Sequence, residues 1–398
     1  MSGRINYDTA ELSAVRSGPL NAVAKDKDYI VEADSRVPEN IAESNFEIFK
    51  TGEDDISSIA ITRDGNSIFV SDQEGNVFLY RYKNGALTKQ LILTGNLPVL
   101  AISLSPNETM LAIAQFSSAV IYDLTQQRIV ARQTRIKGRV KTLEWDPLGE
   151  LVAVGLVSGG VYVWRIDEEF DVSEKSLEIY DGESVTPIVG IAFLPSAEAM
   201  FTASRQGEIK LWRLVRADEK LGFYDPNAAI DKDLKASYYK DVAVLGSEIE
   251  TIWLNKQRLY AACADGMIYS WKVRGLKLLG NFKGDVRGVL SASPLLKSKI
   301  FATSGREQNL KMWCPDQIQS QTASFGEPLK LIAPDGQELT VSLPDLNLVK
   351  PKFQSGIFKS TLNLLKIASQ EPVLWAYEKT GNLLRFDLRK LNFKGVCN

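Results

Sequence analysis

The sequence predicts an all-β fold, a seven-bladed β-propeller built from one repeated unit of four strands. Three observations support this prediction. A strand motif that ends in an aromatic residue occurs seven times, the motif recurs at about the length of one propeller blade, and turn residues fall in register between the repeated strands. One such motif has little weight alone, whereas seven in phase indicate a repeat architecture.

The repeated strand has the pattern small-x-apolar-x-apolar-aromatic, as in GNVFLY and GGVYVW. Successive terminal aromatic residues are 42, 42, 48, 59, 42 and 73 residues apart. A four-stranded blade takes roughly 40 to 45 residues, so three of the intervals contain insertions. The seven terminal residues are Tyr80, Tyr122, Trp164, Trp212, Trp271, Trp313 and Phe386.

Two further apolar strands precede each aromatic strand. In the second repeat they are PVLAISL and MLAIAQ, ahead of SSAVIY, and the turn SPNE at 105–108 joins them. Turns rich in Pro, Asp and Gly between alternating apolar runs predict hairpins. A glycine also precedes the first strand of every repeat, where positive φ or a close backbone approach suits it. These glycines are Gly52, Gly95, Gly138, Gly182, Gly246, Gly284 and Gly356.

This pattern resembles the WD-repeat family of seven-bladed propellers over about residues 45–388. Family repeats carry Gly-His before the first strand and Trp-Asp after the third, but this chain has no histidine, and the final pair is kept only loosely, as FD at 386–387. The family's buried Asp-His-Ser/Thr-Trp network therefore cannot form, and we expect apolar packing between blades to supply most of the stability. The resemblance also implies that FEIF at 46–49 completes the last blade, which contains Trp375 and Phe386.

We divide the chain into three parts. Residues 20–35 resemble the first two strands of a blade, so they either cap a blade or begin an eighth one; seven blades is our prediction. The predicted boundaries are an N-terminal extension at 1–44, a single propeller at 45–391 with insertions at 218–241 and 317–360, and a C-terminal tail at 392–398. The second insertion contains LKLIAPDGQELTVSL, which predicts a hairpin.

Composition excludes several classes of function. The chain has 398 residues, 47 Lys and Arg, and 49 Asp and Glu, and this balance disfavours bulk nucleic-acid binding. Without histidine, Ser-His-Asp systems and most zinc sites are excluded. Cys263, Cys314 and Cys397 lack zinc or disulfide-framework spacing, so we interpret them as reduced thiols. We expect no metal, no cofactor and no membrane span, and a cytoplasmic location, or a nuclear one in a eukaryote.

The sequence favours a non-catalytic scaffold that binds other proteins or peptides as a monomeric propeller inside a larger assembly. Two kinds of loop, those entering the first strand and those joining the second to the third, share one face of a propeller. Four arginines there would suit an acidic or phosphorylated peptide if they converge. These loops carry Asp54, Phe116, Arg139, Arg205, Asp265, Arg287 and Arg306, of which all except Asp265 are candidate partner contacts.

Tyr224, Tyr238 and Tyr239 in the first insertion are further candidates for contact with a partner. The alternative is that this insertion forms an extended outer strand folded against its own blade.

A second hypothesis is a propeller enzyme, or a small-ligand-binding protein, that uses the central channel. Such a site requires several polar groups at equivalent inner positions. The first strands of the repeats consist mostly of Ile, Ala, Leu, Ser and Val, with Lys141, Glu144 and Glu250 as the obvious polar interruptions. Three charges do not form a catalytic constellation, so the sequence favours the scaffold and no enzymatic activity.

Overall fold

The computed structural model describes most of the repeated region, and the structural statements below concern the residues it describes. These are residues 21–22, 29–31, 46–51, 55–134, 136–166, 176–179, 185–216, 229–230, 234–295, 300–314, 329–332, 338–341, 353–354, 362–379 and 381–389.

The described regular elements are β-strands, which are numbered in chain order. The N-terminal strands are β1 (Asn21–Ala22), β2 (Tyr29–Val31) and β3 (Phe46–Lys50). Blade 1 contains β4 (Ile56–Ile61), β5 (Ser67–Asp72), β6 (Val77–Lys83) and β7 (Ala86–Thr94). Blade 2 contains β8 (Val99–Leu104), β9 (Met110–Gln115), β10 (Ser118–Asp123) and β11 (Arg128–Gln133).

The next two blades follow the same plan. Blade 3 contains β12 (Val140–Trp145), β13 (Leu151–Leu156), β14 (Val161–Arg165) and β15 (Ser176–Ile179). Blade 4 contains β16 (Ile188–Phe193), β17 (Ala199–Ser204), β18 (Glu208–Arg216), β19 (Ala229–Ile230) and β20 (Leu234–Val244).

The last three blades complete the set. Blade 5 contains β21 (Ile249–Asn255), β22 (Arg258–Cys263), β23 (Met267–Lys272) and β24 (Lys277–Lys283). Blade 6 contains β25 (Val289–Pro294), β26 (Phe301–Gly305) and β27 (Leu310–Trp313), and after the hairpin strands β28 (Leu329–Ile332) and β29 (Glu338–Val341) it gains β30 (Phe353–Gln354). Blade 7 contains β31 (Leu362–Ile367), β32 (Val373–Glu378), β33 (Asn382–Asp387) and β3.

The blades close into a circle of seven. The first strand of each blade contacts the first strands of both neighbouring blades, and β31 of blade 7 contacts β4 of blade 1. Strands β1 and β2 pair with β7 at the outer edge of blade 1. The N-terminal strands therefore extend an existing blade, and the prediction of seven blades is confirmed.

The predicted closure by the N-terminal strand is also confirmed. Strand β3 pairs antiparallel with β33, with Phe46 opposite Phe386. The buried Phe49 side chain lies between two aromatic rings, with its centroid 6.0 Å from Trp375 and 6.1 Å from Tyr82. Because Tyr82 belongs to blade 1 and Phe49 to blade 7, this aromatic cluster joins the first blade to the last one.

Apolar packing between sheets forms the core, as the sequence predicts. Buried side chains of neighbouring blades form shared clusters, one of which places Trp145 and Trp164 of blade 3 against Ala112 and Ala114 of blade 2.

The seven first strands share one irregularity, a register shift at their second residue, which has no partner residue on the second strand. Such bulges turn side chains at a strand end.

Two blades each contain a hydrogen bond between a buried tryptophan and a threonine. The Trp212 indole N–H donates to the Thr202 hydroxyl oxygen at 2.8 Å, and the Trp313 indole N–H donates to the Thr303 hydroxyl oxygen at 2.7 Å. Both tryptophans are buried. These contacts correspond to the Trp–Thr half of the network that the resemblance implies, without its histidine.

Blade 6 also contains a charged cluster. Asp285 is buried, and one of its carboxylate oxygens accepts the Arg287 backbone N–H at 2.8 Å. The Lys311 ammonium group donates to the Gly284 carbonyl oxygen at 3.1 Å and pairs with Glu307. Burial raises the pKa of Asp285, and the negative charge of Glu307 adds to the rise. In this blade, polar contacts supplement the apolar packing that the sequence predicts.

The predicted hairpin in the second insertion is present. Strands β28 and β29 pair antiparallel, with Leu329 opposite Val341. They form a two-stranded sheet of their own within the described part of the chain.

Candidate functional site

The loop face is the side of the propeller that carries the loops entering each first strand and the loops joining each second strand to the third. Backbone hydrogen bonds connect these loops. Within blade 3 the Val157 N–H donates to the Arg139 carbonyl oxygen at 2.8 Å, and the Val140 N–H of the same blade donates to the Phe116 carbonyl oxygen of blade 2 at 2.8 Å. The loops of blades 2 and 3 are therefore held side by side on this face.

Phe116 and Arg139, two of the candidate contacts, lie together on this surface. The Arg139 guanidinium carbon is 5.9 Å from the centroid of the Phe116 ring, a cation–π geometry. Phe116 is exposed, and so is Val157 in the following loop. The structure thus brings an exposed aromatic, an arginine and an aliphatic side chain to one place.

The remaining three arginines do not form a free basic circle. The Arg205 guanidinium Nε lies 3.0 Å from Glu248 Oε2, and Arg306 Nη2 lies 4.0 Å from Glu250 Oε1. Arg287 is exposed at the entrance to blade 6. Since two of the four arginines face glutamates from blade 5, the net positive charge of the loop face is smaller than the sequence suggests.

Four exposed valines on or next to this face were missed by sequence reasoning, which had identified Phe116. Of the nine exposed large hydrophobic residues among those described, five lie on or next to the loop face. Val185 is 76% exposed and Val286 is 66% exposed, each just before a first strand. An apolar residue in an otherwise polar loop is a weak sequence signal, because only the fold shows that the residue stays in solvent. The five are Phe116, Val157, Val185, Val244 and Val286.

The central channel contains a second feature, a cavity of about 520 Å³ lined by the first strands of all seven blades. Among its lining residues, the charged ones are Lys141, Glu144 and Lys366. Burial raises the pKa of Glu144, and the positive charge of Lys366 opposes this rise. Sequence reasoning identified Lys141 and Glu144 but missed Lys366, which lies more than 200 residues further along the chain.

Other chemistry is limited in the described part of the chain. No cluster of three metal-ligating side chains occurs among those residues, nor does a helix long and apolar enough to cross a membrane. Cys263 is a buried free thiol whose pKa burial raises to about 12. Cys314 is disulfide-bonded, so the interpretation of all three cysteines as reduced thiols is wrong for this residue. Cys397 lies outside the described residues.

Comparison with solved structures establishes the type of propeller. The chain is similar to the WD40 repeats of RRP9, with a TM-score of 0.62 and 13% identity, over 89% of this chain and 99% of that one. It is also similar to a chain of the Mitotic Checkpoint Complex, with a TM-score of 0.61 and 12% identity, over 89% of this chain and 95% of that one. The chain has the fold of a WD40-type β-propeller. At these identities, the likeness concerns the fold alone.

Sequence comparison gives partial matches to two curated relatives of this propeller. It is 24% identical to Actin-interacting protein 1-2 of Arabidopsis thaliana over 165 residues, which are 39% of the propeller chain and 26% of the relative. It is 29% identical to the COMPASS component SWD1 of Saccharomyces cerevisiae over 83 residues, which are 21% and 19% of the two chains. The matches thus span about a quarter or less of each relative. No protein-family profile matches the chain.

Two of the three tyrosine candidates lie on the outer rim of the propeller. Tyr238 and Tyr239 are on β20, which pairs with β18 as an outer strand of blade 4. Both tyrosines are exposed, and the Tyr238 ring also packs edge-on against Trp212 at 5.7 Å. The alternative of an extended outer strand on its own blade is therefore confirmed for β20, and partner contact stays a prediction for the two tyrosines. The other two candidates, Asp54 and Tyr224, lie outside the described residues.

Proposed function

We propose that this WD-repeat propeller is a non-catalytic scaffold that binds another protein through one sector of its loop face. The sector runs over blades 2 to 4 and comprises Phe116, Arg139, Val157, Val185 and Arg205. The observation that carries the proposal is the exposure of several apolar side chains on this face, with Arg139 against Phe116. Aromatic residues and arginines are enriched in protein interfaces.

The chemistry of the sector favours a protein segment with apolar and acidic side chains. Burial of the exposed valines against a partner removes apolar surface from water and lowers the free energy of the complex. Arg139 has no ion pair among the described residues and offers a carboxylate a planar set of donors. Arg205 already faces Glu248, so a second carboxylate there would compete with an existing contact.

The relatives support this class of function. One is named for interaction with actin, another as a component of COMPASS, and a third belongs to a mitotic checkpoint complex. These names denote an interaction and two assemblies, and we extend a role of this kind to this chain. As part of the same proposal, the free protein is a monomer of 44.2 kDa in the cytoplasm, which light scattering and imaging of the tagged protein test.

The test is a quantitative pull-down from the native cells with three forms of the tagged protein. The first is wild type, the second combines Phe116→Ala, Arg139→Ala and Val157→Ser, and the third is Leu148→Ala. Leu148 is a matched control because it is 52% exposed in blade 3 but lies on the opposite face, in the loop joining the first two strands.

We expect wild type and the Leu148→Ala variant to retain the same stoichiometric partner, and the triple variant to lose it. All three proteins must first show equal melting temperatures. If the triple variant retains the partner as well as the control does, the assignment of the sector is wrong. If wild type retains no protein, the scaffold proposal itself fails.

A further inference from the structure

The cavity in the central channel combines two charged positions of opposite sign with a mostly neutral wall. Glu144 is the fifth residue of β12, and Lys366 is the fifth residue of β31. The same position in the other five first strands carries Ala60, Ser103, Ala192, Trp253 and Ser293. Blades 3 and 7 are not neighbours, so the carboxylate and the ammonium group approach the channel from different sides.

The wall of the channel is fixed by its own hydrogen bonds. The hydroxyl oxygens of Ser58, Ser291 and Ser293 each accept a backbone N–H from the first strand of the next blade, at 3.2, 3.1 and 3.0 Å. Because these contacts hold neighbouring first strands together, the lining is pre-formed.

The charged groups lack such partners. Among the described residues, neither Glu144 nor Lys366 has an ion pair within 4.0 Å, although the charge of Lys366 acts on Glu144. Lys141 lies at the register shift of β12, the strand that also carries Glu144, and it too lines the cavity. Lys141 and Lys366 are exposed to the water of the channel, whereas Glu144 is half-buried. A partly buried carboxylate without a partner is destabilising, so a ligand that supplies a positive charge to Glu144 is favoured.

We propose that the channel binds a small acidic amino-acid-type ligand, with one ammonium group and two carboxylates. The ammonium group would pair with Glu144, and the carboxylates would pair with Lys366 and Lys141. A cavity of about 520 Å³ has room for such a molecule. A simple dicarboxylate would leave Glu144 without a partner, and a simple amine would leave both lysines without one.

The test is isothermal titration calorimetry at pH 7 with two probes, L-glutamate and glutarate. Glutarate has the two carboxylates but no ammonium group, so wild type should bind L-glutamate at least about tenfold more tightly. The Glu144→Gln variant should lose about tenfold in affinity for L-glutamate but none for glutarate. The Lys366→Met variant should lose affinity for both probes.

Lys272→Met is the matched control, because Lys272 is exposed on β23 away from the channel. It should bind both probes as wild type does. The proposal is overturned if wild type gives no saturable heat with L-glutamate, or if it binds glutarate equally well. This comparison uses wild type alone, so it decides the matter even if a channel variant does not fold.

The channel site and the loop-face sector are tested separately. The Phe116→Ala variant should bind L-glutamate as wild type does, since Phe116 does not line the cavity. Failure of one proposal therefore leaves the other intact.

Discussion

Replacing Phe49 with alanine tests whether the N-terminal strand closes the propeller. Phe49 is 1% exposed and packs against Trp375 of its own blade and Tyr82 of blade 1. A buried Phe→Ala substitution costs about 3 to 5 kcal/mol, because apolar area is lost and a cavity remains. The substitution also removes two aromatic ring pairs, so we expect a cost near the middle of that range, at about 4 kcal/mol.

The measurement is urea unfolding at 25 °C, followed by tryptophan fluorescence and circular dichroism. With an m value of about 3 kcal/mol/M, a loss of about 4 kcal/mol lowers the urea midpoint by more than about 1 M. Phe116→Ala is the control, since it makes the same change at a side chain that is 39% exposed. That variant should lose less than about 1 kcal/mol.

The reasoning is refuted if Phe49→Ala lowers the free energy of unfolding by less than about 1 kcal/mol. It is also refuted if the two variants lose equal amounts. Either result would mean that β3 contributes little to closure, and that the packing between first strands closes the circle by itself.

Three further predictions concern blade 6. Thr303→Val leaves the buried Trp313 indole N–H without its acceptor and should cost about 1 to 3 kcal/mol in urea unfolding, whereas Thr303→Ser, which keeps the hydroxyl group, should cost less. Gly305→Ala should be clearly destabilising, because the new Cβ would overlap the Asp285 carboxylate. Gly160→Ala is the control, since a Cβ at that position meets only ordinary contacts. Equal losses of unfolding free energy in the two variants would contradict the predicted overlap. The pKa of Asp285 is raised in the folded state, so ionisation of this carboxyl group destabilises the protein as pH rises above the pKa of the unfolded state. The stability of wild type relative to Asp285→Asn should therefore be greater at pH 4.5 than at pH 7. A difference that does not change with pH would contradict a raised pKa.

Much of the fold could be predicted from the sequence because each blade repeats the same local pattern. The seven aromatic strands and the turns between them indicate the blades, and the motif at 46–49 indicates how the circle closes. The candidate site was less predictable. Phe116 and Arg139 were identified separately, but their contact depends on a hydrogen bond between blades 2 and 3.

The partners of charged side chains were the least predictable feature. Arg205 and Glu248 are 43 residues apart in the chain and meet only because adjacent blades place their loops side by side. Glu144 and Lys366 come from blades that are not even neighbours. No local pattern encodes either arrangement, since each side chain has the sequence context of an ordinary surface charge.

The sequence by itself determined the strand order, the number of blades and the absence of histidine chemistry, because these depend on local periodicity and composition. The tertiary structure alone decided which arginines are paired, which valines stay in solvent and which charges share the central channel. These properties depend on distances between blades, and such distances are set by the packing of whole sheets rather than by any short segment.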